Sequence, residues 1–215
     1  MEAQVKQNES LTRSAFLLAL DLRKEKPAQR GELGYLLRAA ALAELLLAGN
    51  LADESGKARA RTAPAAEPGS LRAVVWEQIA NSPPRSWRRW VQKDKGKAVR
   101  VVRDELAAAR VISVERRRIL LFPVERITPR KAYLSRRLAE RVGRAIRDGR
   151  PVGHLDEDIR VLAALAMAAQ LKTVVPSWRE RRRRQERIRQ LSAPVEPIAT
   201  ALRKSVEAAR AGAAG

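Results

Sequence analysis

Over residues 110–126 the hydrophobic rhythm of the chain changes. Before this stretch Val99, Val102 and Leu106 recur at helical spacing, whereas Val111-Ile112-Ser113-Val114 and Ile119-Leu120-Leu121-Phe122 are dense in β-branched and large aliphatic residues. The pattern predicts a β-hairpin over residues 111–123, with the polar run Glu115-Arg116-Arg117-Arg118 as its exposed tip and Pro123, which has no amide donor, ending it. An isolated two-stranded ribbon is marginal in water, so its aliphatic face is expected to rest on helices.

The remaining pattern is helical. Residues 11–22 read as a short apolar helix stopped by the charges and Pro27 of residues 21–29, after a loose end at residues 1–10. Residues 31–48 are apolar on nearly every side, which predicts burial, and Gly49-Asn50 supplies the stop. Residues 51–67, with Gly56 and Pro64 inside and Pro68 next in the chain, read as a β-like excursion or surface loop. Ser70 and Ser86 are placed to cap two helices, the second burying Trp87, Trp90 and Val91. A basic amphipathic helix over residues 95–109 then leads into the hairpin, and Thr128-Pro129 is expected to open the next helix. The run from Asp156 to Leu171 alternates Ile, Leu, Val and Met with alanines that let neighbours approach closely, and is expected at the centre of the bundle. A last helix over residues 198–211 precedes a flexible tail at 212–215. The expected fold is therefore mainly α: a single-domain helical bundle around a central apolar helix, with one β-hairpin.

Composition adds a partner class. The chain has 215 residues, 44 Lys plus Arg against 24 Asp plus Glu, and a formal net charge of +20, which points to an anionic surface such as nucleic-acid phosphate or acidic lipid headgroups. No cysteine and one histidine, His154, exclude disulfides, thiolate metal centres and multi-histidine sites. Residues 1–12 lack the apolar core of a signal peptide, and the most apolar run, residues 39–48, is about half the length that spans a bilayer. A cytoplasmic protein that meets a membrane only peripherally is expected.

Candidate chemistry is sparse. The glycine-rich phosphate loops, zinc-binding helix and nucleophile-elbow patterns are missing, the carboxylates are scattered on charged faces, and neither an enzyme nor a cofactor is expected. Arg38 is the informative residue, because an unpaired guanidinium within an apolar helix is costly. It must pair with an acid such as Glu44, reach past the helix end, or meet a phosphate. The densest basic run, WRERRRRQERIRQL at residues 178–191, would be a solvated helix or a second anion-facing surface.

Four segments together resemble the Golgi phosphoprotein three family, in particular its basic actinobacterial-type members. They are LLRAAALAELLLAGNL at residues 36–51, PPRSWRRWV at 83–91, ELAAARVISVERRRILLFPVERITP at 105–129 and DEDIRVLAALAMAAQLKTVV at 156–175. The resemblance implies a mainly helical domain that binds phosphoinositide headgroups peripherally, phosphatidylinositol 4-phosphate in eukaryotic members, and acts as an adaptor for membrane enzymes. Only the helix arginine of the family's pocket carries over, as Arg38. The pocket tryptophan falls near Gln29 and the two basic residues near Gly96 and Val99, so Lys97, Arg100 and Arg103 are expected to substitute on a less selective acidic-lipid surface. The hairpin of the family self-associates, which implies a membrane or subunit contact for Arg116, Arg117, Arg118, Leu120 and Leu121. The alternative reading is a winged helix, in which helices near 71–80, 86–93 and 97–109 precede an arginine-rich wing on nucleic-acid phosphates.

Overall fold

The computed structural model describes residues 10–119, 122–149, 151–174 and 182–214, with residues 116–119 and 122–124 of the long hairpin described by their backbone alone. All but Ser10 of the expected loose end at residues 1–10, the positions of Leu120 and Leu121, the start of the densest basic run and the final Gly215 lie outside these residues.

The elements run α1 (Leu11–Leu18), β1 (Leu20–Asp21), β2 (Lys26–Pro27), α2 (Arg30–Leu47), β3 (Leu51–Glu54), β4 (Lys57–Ala60), α3 (Leu71–Ala80), β5 (Arg85–Ser86), α4 (Trp87–Gln92) and α5 (Lys95–Ala108). They continue with β6 (Ile112–Ile119), β7 (Phe122–Pro129), α6 (Ala132–Arg147), α7 (Glu157–Ala168), α8 (Gln185–Ser192) and α9 (Glu196–Ala214). The fold is mainly α, and the described residues form three small antiparallel sheets ordered β1-β2, β3-β4-β5 and β6-β7.

Two helices share the centre. As expected, α7 is buried from Val161 to Ala169, and α2 is equally enclosed, because its side chains are apolar on every face from Leu33 to Ala43 apart from Arg38. Helices α1, α3, α4, α5, α7 and α9 all pack on α2. Its approach to α5 is close enough to require a glycine, since a Cβ on Gly34 would lie 2.3 Å from the Lys95 carbonyl oxygen. Gly49, at φ +72°, then turns the chain so that the Asn50 amide donates to Leu45 O at 2.8 Å.

Local signals elsewhere act as read. Ser70 and Ser86 accept from the amides of Ala73 and Arg89, capping α3 and α4. The excursion after α2 is a tight hairpin whose Ser55-Gly56 turn has φ of +51° and +78° at its two residues, the geometry that matches strand twist. Strand β5 then extends it by pairing with β4.

The long hairpin departs from expectation. It spans Ile112 to Pro129 instead of 111–123, and the run expected as its tip lies within β6, with Arg116 opposite Glu125 and Arg118 opposite Pro123. In a two-stranded ribbon both strands are edges, so charged residues and a proline are tolerated and do not mark a turn. For the same reason Thr128-Pro129 closes β7, and α6 starts only at Ala132. At the other end α9 runs through residues 212–214, where a flexible tail was expected.

Candidate anion-binding surface

Arg38 is 1% exposed. Its partner is not Glu44, one of whose oxygens instead accepts the first amide of α1, Leu11 N, at 2.5 Å. The reason is directional: Arg38 emerges from α2 toward α3 and α4. There its Nε donates to Trp90 O at 2.9 Å and its Nη1 to Gln78 Oε1 at 2.9 Å. Gln78 passes the bond on, its Nε2 donating to Asp94 Oδ2 at 2.9 Å. Burial lowers the Arg38 pKa to about 10, with the nearby Asp94 charge working the other way, so the guanidinium remains protonated at neutral pH. Its Nη2 is buried without a hydrogen-bond partner.

This chain of bonds organises the turn between α4 and α5. Asp94 stands at φ +48°, a left-handed position that aspartate tolerates better than most residues, and it leaves the amides at the start of α5 without a side-chain cap. Lys95, the next residue, lies against Gly34 and donates to the Tyr35 hydroxyl at 2.7 Å, with its ammonium 4.3 Å from the centre of the Tyr35 ring. Over the turn opens a cleft of about 280 Å³ lined by Ser82, Arg85, Arg89, Trp90, Lys93 and Asp94. Arg85, Arg89 and Lys93 are exposed, while the indole of Trp90 is buried. The cleft thus sets three exposed cations, of which Lys93 lies 3.9 Å from Asp94, over a buried floor, which suits a multiply charged anion.

The other expected site residues separate into two groups. Lys97 and Arg100 are exposed on α5, one turn apart on the same face. Arg103, the next position on that face, is 9% exposed and its guanidinium is fully engaged. Nη1 donates to both oxygens of Glu125 at 2.9 and 2.8 Å, and Nε donates to Asp104 at 2.8 Å. Burial opposes its charge, but the bonds to Asp104 and Glu125 outweigh that and raise its pKa above the ordinary value. Arg103 therefore fastens α5 to β7. Arg116, Arg117 and Arg118 lie consecutively along β6.

Sequence reasoning did not assemble Arg85, Arg89 and Lys93 as a site. The available signal is the six-residue α4, bounded by Pro83-Pro84 on one side and Lys93-Asp94 on the other. Such a short helix holds its basic residues near both turns. Among the described residues no group of three or more His, Cys, Asp or Glu could hold a metal ion. No helix among them is long and apolar enough to cross a membrane.

A family model described as Golgi phosphoprotein 3 (GPP34) matches residues 11–209, nearly the whole chain. No curated protein matches it.

Proposed function

The chain belongs to the Golgi phosphoprotein 3 family, and we propose that it is a peripheral membrane protein whose basic surface around the α4–α5 turn binds anionic phospholipid headgroups. The observation that carries this reading is the buried charge of Arg38, held through Trp90 O and Gln78 beneath a cleft whose rim offers Arg85, Arg89 and Lys93 to solvent. A buried cation costs stability, and its place under a cleft rimmed by Arg85, Arg89 and Lys93 gives that cost a purpose: a floor of positive potential. Arg38 acts from below and the rim cations make the direct phosphate contacts. Lys97 and Arg100 extend the surface along α5. A phosphoinositide headgroup, with more than one phosphate to share among these cations, fits the arrangement better than a single phosphodiester, and an adaptor role would leave the opposite faces to membrane-enzyme cargo.

The test is co-sedimentation of the full chain with phosphatidylcholine vesicles carrying phosphatidylinositol 4-phosphate or phosphatidylserine at equal total charge, over a salt series, beside a DNA and RNA gel shift. Binding to the phosphoinositide vesicles that falls on the order of tenfold in Arg89→Ala/Lys93→Ala supports the reading. Tight nucleic-acid binding with vesicles ignored would replace it with the winged-helix alternative. Against that alternative, the third of its helices, α5, carries neither Asn nor Gln, and its basic residues suit phosphate better than base edges.

A further inference from the structure

A second basic cleft lies elsewhere on the molecule. It has a volume of about 620 Å³ and is walled by the end of α1, the β1–β2 loop, the first half of α6 and the turn after α7. The loop and the turn are fixed by bonds that use none of the charged side-chain groups lining the cleft. The β1–β2 loop is tied to the long hairpin by Ile127 N donating to Glu25 O at 2.8 Å and by the Arg126–Glu25 ion pair. The turn after α7 is pinned to α1 by the Thr173 hydroxyl donating to Leu18 O at 2.7 Å, and to the start of α2 by Lys172 N donating to Gln29 Oε1 at 2.9 Å.

Four exposed cations converge there: Arg23 and Lys24 from the loop, Arg136 from α6 and Lys172 from the turn. Among the described residues none of them forms an ion pair. Asp21, the single carboxylate on the rim among the described residues, accepts from the amides of Arg23 and Lys24 at 3.0 and 3.1 Å, and its charge also interacts with those two cations. Ser135 also lines the cleft. It is 4% exposed, and its hydroxyl has no hydrogen-bond partner. A buried hydroxyl left unsatisfied costs free energy unless something binds it. The remaining wall is apolar, with Leu17, Leu18 and Leu20. Just outside, the two residues before Ser135 on α6 are the exposed large hydrophobics Tyr133, 58% accessible, and Leu134, 36% accessible.

We propose that this cleft is a second phospholipid site, in which Arg23, Lys24, Arg136, Lys172 and the Ser135 hydroxyl hold a lipid phosphate while Tyr133 and Leu134 enter the interfacial layer. Four unpaired cations and one unused donor match the several acceptor oxygens of a phosphate. A free phosphate needs neither the apolar wall nor the exposed tyrosine and leucine, whereas a phosphate at the end of acyl chains, met at a membrane interface, uses both. The proposal rests on the peripheral-membrane reading for the source of the phosphate, but uses none of the residues around the α4–α5 turn. Two separated sites would fix the orientation of the protein on the bilayer.

The experiment compares full-length wild type, Arg136→Ala/Lys172→Ala, Ser135→Ala, Tyr133→Ser/Leu134→Ser and the charge-matched control Arg203→Ala/Lys204→Ala. Probes are phosphatidylcholine vesicles with phosphatidic acid, and soluble glycerol 3-phosphate. We expect vesicle affinity to fall on the order of tenfold in the cleft pair and only about two- to threefold in the control, where a general loss of charge acts alone. The Tyr133/Leu134 variant should lose affinity at unchanged charge, while glycerol 3-phosphate binds weakly. Ser135→Ala should bind a few-fold more weakly without a lower melting temperature, because its hydroxyl has no internal partner to lose. A cleft pair that matches the control overturns the proposal and leaves the α4–α5 reading intact. Glycerol 3-phosphate binding as tight as vesicle binding, with the Tyr133/Leu134 variant unaffected, overturns the lipid assignment in favour of a soluble phosphate. Wild type that ignores every vesicle overturns both readings together.

Discussion

Replacing Arg38 with methionine separates the structural from the electrostatic role of the buried charge. The fall of the Arg38 pKa from its ordinary value to about 10 corresponds to about 3 kcal/mol by which the protein disfavours the charge it encloses. Methionine fills much of the same space and removes that penalty. In exchange Trp90 O and Gln78 Oε1 each lose a donor, at about 1–3 kcal/mol apiece for a buried group. Gln78 is only half-buried and keeps its bond to Asp94, so its share lies at the low end. The two effects nearly cancel, and Arg38→Met should cost no more than about 2 kcal/mol, or roughly 4–8 °C in melting temperature for a chain of this size.

Binding should behave differently. Without the guanidinium the carbonyl at Trp90 and the Gln78–Asp94 link no longer share one anchor, and the cleft loses the positive floor beneath Arg85, Arg89 and Lys93. Affinity for anionic vesicles should fall about tenfold at fixed salt. Arg38→Lys should fall between, since one ammonium cannot span both acceptors as a planar fork does. Denaturant unfolding and vesicle co-sedimentation on the same preparations decide the matter. A stability loss above about 4 kcal/mol, with undiminished vesicle affinity in the protein that remains folded, would show that Arg38 is a structural strut and that the cleft works without it.

Three further outcomes are expected. Gly34→Ala forces a Cβ against the Lys95 carbonyl, which belongs to backbone and cannot swing aside, so about 2–3 kcal/mol should be lost despite the better helix propensity of alanine; an unchanged melting temperature would mean that α2 and α5 are not in close contact. Glu44 has its pKa raised, chiefly by burial, against the lowering bonds from Leu11 N and Ser10. A carboxyl that keeps its proton longer when folded stabilises the protein fully below about pH 4.5 and loses that contribution as pH rises through its raised value. Glu44→Gln should therefore gain in melting temperature relative to wild type between about pH 4 and about pH 7, and a constant difference across that range would contradict the assignment. Finally, Arg116→Ala/Arg117→Ala/Arg118→Ala should weaken vesicle binding or change the oligomer mass seen by light scattering; if neither moves, the ribbon is a solvated arm.

The sequence reads most faithfully where one physical term dominates. An apolar pattern on every face of α2 leaves burial as its only outcome, and the serines before α3 and α4 mark their helix starts because each hydroxyl accepts the amide three residues on, at Ala73 and Arg89. The long hairpin is legible in kind but not in extent. A polar run normally signals a turn because inner strands exclude charge, and that inference fails in a ribbon with no inner strand, so Glu115 to Arg118 sit in β6. The same weakness places Thr128-Pro129 at a strand end when their composition suits a helix start equally well.

The site is legible only as far as a single helix reaches. Arg38 stands out within α2 because its neighbours are apolar, but its acceptors lie 40 and 52 residues further along, and no local pattern distinguishes them from Glu44, six positions away on the same helix. Arg103 illustrates the opposite error. Its spacing from Lys97 and Arg100 puts all three on one face, yet the hairpin returns Glu125 to that face and consumes the third cation. A chain with 44 basic side chains and 24 acidic ones cannot pair them all, so what decides function is which cations the fold leaves without an acid. At the α4–α5 turn Asp94 is held by Gln78 and, of the rim cations, meets only Lys93, at 3.9 Å, and at the β1–β2 loop Asp21 is held by its own loop's amides, so Arg85, Arg89, Arg136 and Lys172 stay available to an anion from outside.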